Sequence, residues 1–218
     1  MQSIRKYYLL CLCLSLSWAI HAQERPDFYR KPVKQGNGFM LRAGLNYTIP
    51  TVTAYYVNGS IPLSILGGVR PKMGFYVGAS YYTDLATNRL SLRLDGTLQQ
   101  KSTKTVNPYN SYSATMSYYY AGFAPLIGLQ LAGPLTIYTG PEVNLMIINK
   151  NAWGRVTPLD IGPTVKCVYS FQKIKAEISY SRGFVRYDHL DINLPGGPAK
   201  HDFYNQTLQA GLVYLLNI

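Results

Sequence analysis

This sequence predicts an all-β fold, an eight-stranded antiparallel up-and-down transmembrane β-barrel. Three observations carry the prediction. A strict two-residue alternation of apolar and polar side chains recurs in about eight segments, clearest over 174–181 and 89–95. The connections between those segments alternate long and short. An export leader stands at the N-terminus, and the chain after it holds no apolar run of roughly 18 residues, the length a membrane helix needs. Successive side chains of a strand point to opposite faces, so alternation makes one apolar face and one polar face. A soluble sheet buries the apolar face in a core. A membrane barrel turns it to lipid and keeps the polar face inside.

Residues 1–22 read as a secretory signal peptide. Arg5 and Lys6 form its positive start, Tyr7 to Ile20 its apolar stretch, and Ala22 before Gln23 the cleavage point. Cys11 and Cys13 sit inside the apolar stretch without a small residue before them, which counts against a lipoprotein. Removing 22 of 218 residues leaves 196, and Arg5 and Lys6 leave with them, so the net charge falls from +11 to +9. One cysteine, Cys167, remains, so no internal disulfide can form, which argues against a small disulfide-stapled secreted domain. Residues 23–37 are polar, with Pro26 and Pro32, and are expected to form a flexible periplasmic lead-in. The remaining length, 38–218, suits one barrel domain.

Eight strands are expected at 38–47, 73–83, 88–100, 114–130, 134–147, 157–171, 173–185 and 203–217. The first starts Gly38-Phe39 and puts Phe39, Leu41, Ala43 and Leu45 on one face, with Arg42 opposite. A long connection, 48–72, leads to the second strand, where Phe75, Val77 and Ala79 alternate with glycine and serine. A tight turn at 83–88 follows. The third strand sends Leu92 and Leu94 one way, Arg93 and Asp95 the other. Residues 101–113 are rich in Ser, Thr, Asn and Lys and read as another long loop. The fourth strand presents Phe123, Ile127 and Leu129, and turns tightly at 131–134. In the fifth, Glu142 opposes Val143 and Leu145. After 148–156, the sixth strand places Asp160 and Lys166 opposite Ile161 and Val165. Gln172-Lys173 is the tightest turn. The seventh strand alternates Ile174, Ala176 and Ile178 with Lys175 and Glu177. Residues 186–202, with Pro195-Gly196-Gly197-Pro198, form the last long loop. The eighth strand, with Leu208, Ala210, Leu212, Tyr214 and Leu216, is expected to pair with the first and leave no open edge.

The long-short parity is that of outer-membrane barrels, with extended loops outside and tight turns on the periplasmic side. The expected location is therefore the cell outer membrane. Arg42, Arg93, Asp95, Glu142, Asp160, Lys166, Lys175 and Glu177 share the inner face, four bases and four acids. An eight-stranded barrel is just wide enough for side chains to fill. These residues are expected to form an ionic network across a plugged lumen, because unpaired charges there would be costly.

The chain resembles the PorT-like family of outer-membrane β-barrels over about 38–218. The resemblance rests on Gly38-Phe39 with Ala43-Gly44-Leu45-Asn46, Gly74-Phe75-Tyr76-Val77-Gly78, Ala124-Pro125-Leu126, Thr139-Gly140-Pro141, Ser179-Tyr180-Ser181-Arg182-Gly183 and Gln209-Ala210-Gly211-Leu212-Val213-Tyr214. It implies the fold, and through one member of the family a role in type IX secretion. Such barrels usually end on an aromatic residue; this chain ends on Ile218.

Catalysis is not expected. His189 and His201, with Asp188, Asp191 and Asp202, fall in the last long loop without a zinc-ligand spacing, and no expected strand carries a Ser, His and acid set. No cofactor motif is present. The bases of the lead-in and loops are scattered, which suits anionic lipopolysaccharide and not nucleic acid. Tyr55, Tyr56, Tyr109, Tyr112 and Trp153 are candidate contact residues of the loops. The expected partners are outer-membrane lipid and, during biogenesis, the barrel-assembly machinery. Two other readings stay open, a lipid-modifying enzyme of the outer membrane and a soluble periplasmic ligand-binding barrel.

Overall fold

The computed structural model describes residues 37–56, 68–85, 89–106, 113–152, 155–171, 173–194 and 197–216. The expected signal peptide, nearly all of the lead-in, and Tyr109, Tyr112 and Trp153 lie outside the described residues.

Ten strands are present: β1 (Gly38–Tyr56), β2 (Gly68–Asp84), β3 (Leu90–Val106), β4 (Ser113–Ala132), β5 (Leu135–Lys150), β6 (Arg155–Val156), β7 (Leu159–Phe171), β8 (Ile174–Arg182), β9 (Asp188–Leu194) and β10 (Gly197–Leu216). Eight of them close a ring in the order β1-β2-β3-β4-β5-β7-β8-β10, each antiparallel to its neighbours. The seam is β1 against β10, continuous from Phe39↔Leu216 to Tyr56↔Ala199. Closure is the reason such a sheet is stable in an apolar medium, since no backbone edge is left without a partner.

Alternation along each strand sets the two faces. In β7 the pattern of exposed and buried residues repeats without a break from Leu159 to Val168. Ile178 is 59% exposed, Leu212 62%, Ile127 58% and Phe75 51%, while Arg93, Asp95 and Glu177 on the inner face are each 1% exposed. The packing is inverted relative to a water-soluble protein, with the apolar residues outside and the polar ones inside. Leu92 and Leu216 lie on the outer face as well, but half-buried.

The strands run further than the sequence pattern suggests. Residues 48–56 continue β1, 101–106 continue β3, and the stretch 186–202 folds into β9 and the first part of β10. β9 pairs along β10 from Phe203↔Asp188 to Gly197↔Leu194, and β6 caps β9 through Arg155↔His189. Near this long-loop end the outer face carries polar and charged residues such as Lys72, Ser102 and Lys104, and the inner face mixes polar with apolar ones, so hydrophobic alternation fades from the sequence. The backbone groups still need partners, and ladder pairing supplies them.

Candidate functional site

The inner wall is built from residues that alternation aims inward from every strand of the ring. At its centre Arg42 (β1) bonds both Asp95 (β3) and Glu177 (β8). Arg93 Nε lies 2.6 Å from Asp95 Oδ1, and Arg93 Nη2 2.7 Å from Glu177 Oε2. Lys166 Nζ (β7) adds a third cation to Asp95 at 3.0 Å. Two carboxylates and three cations from four strands thus form one network across the interior. All five side chains are almost fully buried, and each charge offsets the desolvation of its neighbours.

A polar layer stands beside this core. Gln99 Nε2 donates to Asn144 Oδ1 at 2.6 Å and to Glu142 Oε1 at 3.3 Å, and Asn144 Nδ2 donates to Glu142 at 3.0 Å. Gln209 Nε2 donates to Gln99 Oε1 at 2.9 Å, and Gln209 Oε1 accepts from Ser179 Oγ at 3.1 Å. Next comes a second ion pair, Lys101 Nζ to Asp160 Oδ2 at 3.2 Å, with Asn205 Nδ2 donating to the same oxygen at 3.0 Å.

Tyrosines line the same interior. The cations of Arg42, Arg93, Lys101 and Lys175 lie 5.2, 5.2, 5.0 and 4.8 Å from the ring centres of Tyr76, Tyr138, Tyr120 and Tyr82. A ring face offers a desolvated cation partial negative charge without the cost of burying another carboxylate. Tyr76 fits because Gly44 and Gly211, opposite one another at the seam, carry no side chain; a Cβ on either would overlap its ring or hydroxyl. Gly128 makes room for Tyr138 in the same way.

Apolar clusters pack inside both ends. Met116, Tyr118, Tyr120, Tyr187 and Phe203 pack together toward the long loops, with Val52, Val69, Met146, Ala152 and Val156 against them. Met40, Tyr82 and Val213 fill the tight-turn end. Burial and the nearby Asp188 carboxylate hold the Tyr187 phenol well above the ordinary tyrosine range, so it stays neutral.

All eight residues expected in the lumen are buried inside it. Six of them, Arg42, Arg93, Asp95, Glu177, Lys166 and Asp160, take part in ion pairs. Lys175 lies over Tyr82, and Glu142 is held by the amides of Asn144 and Gln99. Lys101 corrects the sequence reading. It was expected in an outer loop, but β3 continues through it and carries it inward. Gln99, Asn144, Asn205, Gln209 and the inward tyrosines were not singled out by sequence, although their inward register on the same strands marks the same face.

The histidines are a second correction. They do not sit in an irregular solvated loop: His189 is on β9 and His201 is buried on β10. His189 Nδ1 lies 2.5 Å from Asp202 Oδ1, which also accepts from Arg186 Nη1 at 3.3 Å. Among the described residues no group of His, Cys, Asp and Glu is arranged to hold a metal. Tyr55 and Tyr56 end β1, opposite Lys200 and Ala199.

No protein-family model matches the chain, and no curated protein does. Solved structures that resemble it in fold include two outer membrane proteins. One is the crystal structure of the outer membrane protein OprG from Pseudomonas aeruginosa, with a TM-score of 0.50 and 11% identity over 85% of this chain and 98% of that one. The other is the solid-state NMR structure of the outer membrane protein AlkL in DMPC bilayers, with a TM-score of 0.46 and 12% identity over 89% of this chain and 97% of that one.

Proposed function

We propose that this protein is a non-catalytic integral barrel of the outer membrane, with a plugged lumen, that works through its long-loop end. One observation carries the reading: leucine, isoleucine, valine and phenylalanine side chains stand exposed around the outer wall while the charges neutralise one another inside. In water that arrangement would expose a large apolar surface, which favours a membrane over the soluble ligand-binding alternative. The fold is that of OprG, itself an outer membrane protein. In this reading the tight turns face the periplasm, the long-loop end faces outward, and a cleaved signal peptide delivers the chain.

Membership of the PorT-like family belongs to the same proposal. It is favoured by the place of the shared glycines: Gly44 and Gly211 are close-approach positions beside Tyr76, where a side chain has no room. A role beside a secretion machine rests on that resemblance alone.

The test has two parts. The protein should float with the outer-membrane fraction. The purified full-length barrel, reconstituted in planar bilayers, should show no large, stable conductance. Steady nanosiemens-scale openings would overturn the plugged lumen and revive a porin function, and recovery in the soluble periplasmic fraction would overturn membrane insertion.

A further inference from the structure

We infer that the outer wall of β2–β5 carries a binding site for the phosphate of an anionic lipid of the outer leaflet. The inference rests on membrane insertion as proposed above and says which lipid chemistry the wall selects.

The site begins with a bulge. β2 and β3 pair in register from Gly68↔Val106 to Lys72↔Ser102, and again from Tyr76↔Gln99, with a shift between Lys72 and Tyr76. One extra residue on β2 reverses its alternation. Phe75 and Val77 face outward below the shift, and above it Arg70 and Lys72 do. Without the bulge both bases would point inward.

The register then lines up a row across four strands: Lys72↔Ser102, Ser102↔Ser117, Ser117↔Lys150. It reads cation, hydroxyl, hydroxyl, cation. The next row toward the loops reads Arg70↔Lys104 and Lys104↔Thr115. Ser102 Oγ and Ser117 Oγ are 3.1 Å apart, and Gln100 Nε2 donates to both, at 3.2 and 3.4 Å. The Lys72 ammonium donates to Thr115 Oγ1 at 3.1 Å, so its side chain crosses β3 to reach β4. The Lys150 ammonium lies 5.7 Å from the ring centre of Tyr119. Arg70, Lys72, Lys104 and Lys150 are all exposed.

No acid on these strands balances the four cations. β2–β5 contain Asp84, Asp95 and Glu142 and no other acid. Asp84 stands at the tight-turn end, and the other two are inside the lumen. The connecting sequences 57–67, 107–112 and 151–154 contain none. Arg70 and Lys104 are direct cross-strand neighbours, an arrangement that costs stability unless an anion sits between them.

Height on the wall identifies the ligand. Below the cationic rows come Met73, Phe75, Leu98, Phe123, Leu145 and Ile148, each more than half exposed. A lipid lying along this face would place its acyl chains on that apolar surface and its phosphate among the exposed bases. Phosphate oxygens accept the guanidinium fork and the ammonium groups together, above the buried hydroxyls of Ser102 and Ser117.

The experiment uses the full-length barrel in neutral detergent and reads lipid retention by native mass spectrometry. The probes are dioleoyl phosphatidic acid, dioleoyl phosphatidylcholine and inorganic phosphate. Wild type should retain phosphatidic acid in preference to phosphatidylcholine. Each of Arg70→Gln, Lys72→Gln, Lys104→Gln and Lys150→Gln should lower that preference about fivefold, and the quadruple variant should abolish it while keeping its β-sheet circular dichroism. Arg89→Gln, at the tight-turn end, should leave it unchanged. Equal retention of both lipids by wild type, an unaltered preference in the quadruple variant, or an equal loss in Arg89→Gln would overturn the site. Displacement of the lipid by millimolar inorganic phosphate would assign the site to the free anion and overturn the lipid. Flotation with membranes is independent of all these results, so the insertion proposal stands or falls separately.

Discussion

Glu177 shows what a single inward residue does here. Its carboxylate meets Arg42 and Arg93, which approach from β1 and β3. Glu177→Ala would leave two guanidinium groups sharing Asp95, with Lys166 competing for the same carboxylate. Breaking a buried pair from one side costs about 3–5 kcal/mol. The double variant Glu177→Ala with Arg42→Met should cost less, because charge and countercharge leave together. Urea unfolding in lipid bilayers measures both; a double variant as unstable as the sum of the singles would show that the network has no coupling. That Glu177 faces inward is legible from Ile174, Ala176 and Ile178 around it. That it meets Arg42 and Arg93 is not, because alternation assigns a face and says nothing about who stands across the lumen.

At the scale of the strand, period-two patterning is legible only where the two faces meet different media. β8 is the clear case: Ile174 and Ile178 are exposed, and Lys175 and Glu177 are buried. Ile178→Arg near the middle of the wall should therefore destabilise the inserted barrel by roughly 2–4 kcal/mol, against little change for Ile178→Leu. Unfolding in bilayers checks this, and a neutral Ile178→Arg would mean that the position does not meet lipid. β3 shows the limit. Its outward Leu94 and Leu98 give way to Gln100, Ser102 and Lys104, and the pattern fades while the strand continues to Val106. Lys101 was lost from the sequence reading for that reason. The bulge of β2 is harder still to read. It turns on one extra residue between Lys72 and Tyr76, and it shows in the structure as Lys72 and Met73, side by side, both exposed.

For the whole molecule the decisive feature is closure between β1 and β10, whose partners Leu45 and Ala210 are far apart in sequence and adjacent in the wall. Replacing both by cysteine, with Cys167→Ser to remove the free thiol, should give a disulfide on oxidation that shifts migration on a non-reducing gel. Failure to crosslink, with Leu41→Cys and Tyr214→Cys failing too, would mean that the ring is open at this seam. The alternating apolar and charged residues by themselves determined a barrel with an apolar exterior and a charged interior, because a strand sorts its side chains locally and every strand carries its own record of the two media. Tertiary structure alone decided which charges meet, how far the strands rise toward the loops, and that Lys72, Ser102, Ser117 and Lys150 share one row. Those depend on register between strands distant in sequence, and register is set by closing the ring.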